Sequence, residues 1–111
     1  MDVAFASKKL QKTCNSEKEL TGVYGDKMAA KIMTRLLDMR AAATLEVMRH
    51  LPGRCHELRG DRAGQLALHL VEPVRLIFRP HDDPPPRNQS GALIWGKVTS
   101  VIVLDIRDYH N

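Results

Sequence analysis

The chain has 111 residues, a length that fits one domain able to bury its own core. Hydrophobic residues make up 43% and charged residues 27%, which excludes a disordered tail or a repeat array. A formal charge of +4 and a sequence pI of about 9.3 favour a polyanionic partner without proving one. No apolar run approaches the roughly 18 residues of a membrane span. Cys14 and Cys55 stand far apart with no C-x-x-C pattern, and the N-terminus lacks the layout of a signal peptide, so a cytoplasmic protein is expected.

Residues 2 to 6 are short and apolar and predict a strand. Ser7 is placed to cap a helix that runs from Lys8 to about Val23, with Leu10, Cys14 and Leu20 on its apolar stripe. Asp26 is the expected cap of a second helix reaching about Ala42. Its core stripe is Met28, Ile32, Leu36 and Met39, and its basic face is Lys27, Lys31, Arg35 and Arg40. Residues 44 to 50 allow one further turn, which Pro52-Gly53 ends. Strands are then expected at 55–60, 64–70, 74–79 and 98–106, joined by tight links at 61–63 and 71–73. The last strand is nearly all apolar and predicts a central position with both faces covered. The segment 80–97 holds three consecutive prolines and predicts an irregular loop, in which Trp95 either anchors to the core or lies at an interface. The expected fold is α+β: an N-terminal strand and a two-helix hairpin packed on an antiparallel meander, in a single domain of residues 1–111.

Three segments carry a resemblance: HLPGRCHELRGDRAGQLALHL, then VRLIF, then DIRDYH at the C-terminus. Together with the opening MDVAFASKKLQKTCNSEKEL, they resemble the HigB-type toxins of the RelE superfamily over nearly the whole chain, except the proline loop. The resemblance implies a RelE-like fold and the toxin of a type II toxin–antitoxin pair. It implies a metal-independent endoribonuclease that cuts translated mRNA in the ribosome by 2′-hydroxyl attack. It further implies a HigA-like helix-turn-helix antitoxin as partner, and operator DNA reached only through that antitoxin. The alternative is a RelE-fold binding module that has lost catalysis.

Cleaving RNA without metal needs a base, an acid, a cation for the phosphorane charge and a group that holds the nucleotide. His56 and His110 supply imidazoles that titrate near neutral pH. Arg75, in the VRLIF strand, is the expected phosphorane cation, and Tyr109 is expected to position the nucleotide. Arg59, Arg62, Arg79 and Asp108 are expected to contact RNA or the ribosome. Arg59 stands where several relatives have lysine, and Val74 where they often have an aromatic ring. Without the resemblance, His56 reads as a surface strand residue and the terminal triplet as a frayed end. His50, His69 and His81 read as surface groups. No ligand spacing suggests a metal, and no cofactor is expected.

Overall fold

In the computed structural model, which describes residues 1–108, a five-stranded sheet carries helices on one face. β1 (Asp2–Phe5) leads into α1 (Lys8–Cys14), α2 (Glu17–Tyr24) and α3 (Asp26–Ala41). A 3₁₀ turn, Leu45–His50, follows. Next come β2 (His56–Glu57), β3 (Leu66–His69), β4 (Val74–Pro80) and β5 (Ser100–Asp108). The sheet order is β1-β5-β4-β3-β2. β2 to β5 form the expected antiparallel meander, and β1 joins β5 in parallel. No helix of the described residues is long and apolar enough to cross a membrane.

The expected first helix is two helices. Ser16 breaks it, because its hydroxyl accepts from the Glu19 amide at 3.2 Å and starts a new turn. Ser7 caps α1 as expected, accepting from the Leu10 amide at 3.1 Å. Asp26 does not cap α3. Gly25, at φ +83°, turns the chain into the helix, and Asp26 sits inside the first turn, at the positive end of the dipole.

The core lies between α3 and the sheet. Ile32, Leu36 and Met39 from α3 meet Leu68, Leu76, Phe78, Val101 and Val103. β5 is an inner strand, yet only one of its faces is fully covered. Val101 and Val103 are buried, whereas Ile102 and Leu104 are half-exposed, because the second face carries only the small cluster Leu58, Ala67 and Ile77 with Leu104 at its margin. The proline loop is tied down. Leu93, Trp95 and Val98 join the core, and the Asn88 side-chain oxygen accepts from the amides of Ser90 and Ala92. Trp95 is therefore an anchor to the core. Its ring lies 3.8 Å under the Arg49 guanidinium, and its N–H donates to Glu57 at 3.3 Å.

Arg35 departs from the expected basic face of α3. It is 6% exposed and donates from Nε to the carbonyl of His69 at 2.9 Å. Gly53 makes room for it. A Cβ built there would stand 2.8 Å from Arg35 Nε, and the backbone φ of +118° is one that side-chain-bearing residues rarely adopt. Gly53→Ala should therefore lower stability by about 2 kcal/mol, measured by urea unfolding, with the clash adding to the backbone strain. An unchanged midpoint would show that this turn is not under steric constraint.

Candidate functional site

The site grows from the β3–β4 hairpin. The Leu70 amide donates to Val74 O at 3.1 Å, and the register outward puts His69 opposite Arg75. Glu72 sits at the exposed tip. One carboxylate oxygen meets His69 Nδ1 at 2.9 Å, and the other accepts from Arg75 Nη2 at 3.0 Å. Arg75 Nη1 also donates to the carbonyl of Val74 at 3.2 Å, and the residue as a whole is only 7% exposed.

β2 supplies the next group. His56 is opposite Ala67, and its ring stands edge-on to His69 with centroids 5.7 Å apart. The turn Pro52-Gly53-Arg54 holds it there. Arg54 adopts φ +49°, uncommon for a residue with a side chain, and its carbonyl lies 2.7 Å from His56 Nδ1. A carbonyl only accepts, so His56 carries a hydrogen on Nδ1. The backbone of His69 is fixed from both sides: its amide donates to Gly53 O at 2.7 Å and its carbonyl accepts from Arg35.

The electrostatics follow from this chain of contacts. Burial pushes His69 below its ordinary value. The hydrogen bond to Glu72 pulls it up, and the Arg75 and His56 charges push it down again. Hydrogen bonds from Arg75 and His69 hold the Glu72 carboxyl below its usual range. At neutral pH, then, Glu72 is an anion and His69 a neutral imidazole. The carboxylate fixes the hydrogen on Nδ1 and leaves the Nε2 lone pair available as a base.

The structure brings together His56 and Arg75 through His69 and Glu72. The chain of contacts does not extend, among the described residues, to Arg59, Arg62 or Arg79. Arg59 is exposed at the start of the Gly60–Arg62 turn. Arg62 is half-buried and donates to Gln65 at 3.1 Å, and Arg79 donates to Pro80 O at 2.9 Å at the far end of β4. Asp108 ends β5 opposite Val74, one step from Arg75. Tyr109 and His110 lie outside the described residues. His69 and Glu72 were not legible as site residues from motif alone. The usable signal was the hairpin: counting outward from 71–73 pairs position 69 with 75 and puts an acid between them.

Burial pushes the thiol of Cys14 up to about 11 and that of Cys55 to about 12, so neither is a thiolate nucleophile near neutral pH. Among the described residues, no three of His, Cys, Asp and Glu converge as metal ligands.

The fold has a counterpart among solved structures. The chain is similar to the solved YoeB/ParE toxin from Agrobacterium tumefaciens, with a TM-score of 0.59, 16% identity, and coverage of 98% of this chain and 99% of that one. No family model matches the chain, and no curated protein matches it. At that identity the likeness establishes the α+β fold and its topology.

An NMR titration of the imidazoles should find His69 below the ordinary histidine value of about 6.5. Glu72→Gln should lower it further, since the variant removes the group that stabilises the imidazolium and leaves the Arg75 charge uncompensated. An upward shift in the variant would contradict the hydrogen bond to His69.

Proposed function

We propose that this chain is the toxin of a type II toxin–antitoxin pair and an endoribonuclease of the HigB type, which cuts ribosome-bound mRNA in the cytoplasm. The observation that carries the reading is the joined set His56, His69, Glu72 and Arg75 on a fold shared with a known toxin. The sequence resemblance at residues 51–79 and at Asp108-Tyr109-His110 points the same way. The partners under this reading are a HigA-like antitoxin, the ribosome with its mRNA, and operator DNA through the antitoxin.

The reaction runs as an in-line displacement. His69 Nε2 takes the proton from the 2′-hydroxyl, and the 2′-oxygen forms its bond to phosphorus. The bond from phosphorus to the 5′-oxygen breaks, and that oxygen takes a proton from an imidazolium, either His56 or His110. The products are a 2′,3′-cyclic phosphate and a 5′-hydroxyl end. Arg75 offsets the charge on the phosphorane oxygens. Incoming phosphate replaces the Glu72 oxygen that holds Arg75, while the other oxygen keeps His69 in its tautomer. Tyr109 holds the nucleotide by stacking, and Asp108, Arg59 and Arg62 contact the strand or the ribosome.

One observation favours a second reading, a binding module without catalysis. Arg75 is already engaged by Glu72 and by a carbonyl and is nearly enclosed, so a phosphate must displace a partner to reach it. Primer extension on translated mRNA separates the two. The nuclease reading expects cleavage on expression, a loss of about 10²–10³-fold in Arg75→Ala, and a clear loss in His69→Gln. Ribosome association with intact mRNA would establish the binding module, and full toxicity in Arg75→Ala would remove the assigned cation.

A further inference from the structure

β4 turns a second arginine to the same side as Arg75. Side chains alternate along a strand, so Arg75, Ile77 and Arg79 share one face, and four residues at about 3.3 Å each separate the arginines by about 13 Å. That length corresponds to about two nucleotide steps of an extended strand. Between them Ile77 is fully buried, packed with Leu58, Ala67 and the half-buried Leu104. Leu104 is the extra residue of a bulge, since the register passes from Ile77–Asp105 to Phe78–Val103. On the β5 side, Asp105 has Arg107 3.9 Å away.

At the Arg79 end of this row opens a cleft of about 400 Å³, lined by Gly64, Gln65, Arg79, Asp82, Asp83 and Arg87 among others. Each arginine is steadied by a carbonyl rather than a carboxylate: Arg79 by Pro80 O and Arg87 by Gly91 O, both at 2.9 Å. One Nη of each is so used, and a guanidinium has five N–H donors in all. Two guanidinium groups and two carboxylates sum to no net charge, so a simple anion meets as much repulsion as attraction. A nucleotide suits both signs. Its phosphate accepts from arginine, and its base edge donates to carboxylates, which only accept.

We propose that this cleft is a nucleotide subsite, holding single-stranded RNA about two nucleotides from the scissile phosphate. Arg79 and Arg87 take the phosphate, and Asp82 and Asp83 accept from the exocyclic amino group of cytosine, adenine or guanine. Uracil has no such group. The proposal rests on the nuclease reading of the His56–Arg75 cluster.

Fluorescence anisotropy with labelled RNA at low salt tests it. Hexacytidylate should bind about tenfold or more tightly than dicytidylate. Arg79→Ala/Arg87→Ala should lose most of that gain, and the slope of log affinity against log salt should fall by about 0.7 for each arginine removed. Arg87→Ala alone changes only an exposed loop residue and should give half the slope effect, which guards against misfolding of the double variant. Asp82→Asn/Asp83→Asn should erase the preference for hexacytidylate over hexauridylate, because an amide both donates and accepts. If the arginine variants keep the full length gain and slope while Arg75→Ala abolishes cleavage, the subsite is overturned and the nuclease reading stands. If the wild-type protein binds no oligonucleotide of any length, the subsite is overturned, while cleavage of translated mRNA in the primer-extension assay still decides the nuclease reading.

Discussion

The buried guanidinium of Arg35 is the constraint on which the site depends. A charge taken out of water is costly unless its donors are satisfied. Here Nε donates to the carbonyl of His69, directly behind the hairpin that carries Glu72 and Arg75. The same arginine requires a residue without a side chain at 53, and the Gly53 carbonyl in turn accepts from the His69 amide. Helix α3, the 52–54 turn and β3 are thereby locked into one arrangement. His56 inherits its position from that turn, through the carbonyl of Arg54.

Glu72 plays a different part. It is exposed, so its individual ion pairs contribute little to stability. Its effect lies in sharing. One carboxylate spans a histidine and an arginine that would otherwise repel each other when charged, and it sets the tautomer of the first while aligning the second. Burial keeps His69 neutral against that pull. A base and a cation can thus stand on adjacent strands without the imidazole being permanently protonated.

Much of the fold was legible in residue pattern. The α3 stripe, the meander and the irregular loop follow from periodicity and from proline and glycine placement. What pattern could not supply was long-range competition. Ser16 starts a new helix within the apolar stripe because its hydroxyl accepts from the Glu19 amide, which a continuing helix would have given to the carbonyl of Asn15. Arg35 looks like a surface cation in its helix and becomes buried only because a glycine 18 positions later leaves space for it. The parallel pairing of β1 with β5 spans nearly the whole chain and has no local signal. At the site, Arg75 and His56 were legible from the motif segments. His69 and Glu72 acquire their meaning only when the hairpin register sets them beside those two.

Trp95 has a consequence of another kind. It is the chain's only tryptophan, and it joins the proline loop to β2 through Glu57, the residue after His56. β2 is only two residues long, so few ladder bonds hold that histidine. The indole, stacked under a cation and bonded to a carboxylate, therefore serves as a built-in optical reporter. Its emission colour and quenching follow the seating of β2, and with it the alignment of the imidazole pair, without any added label.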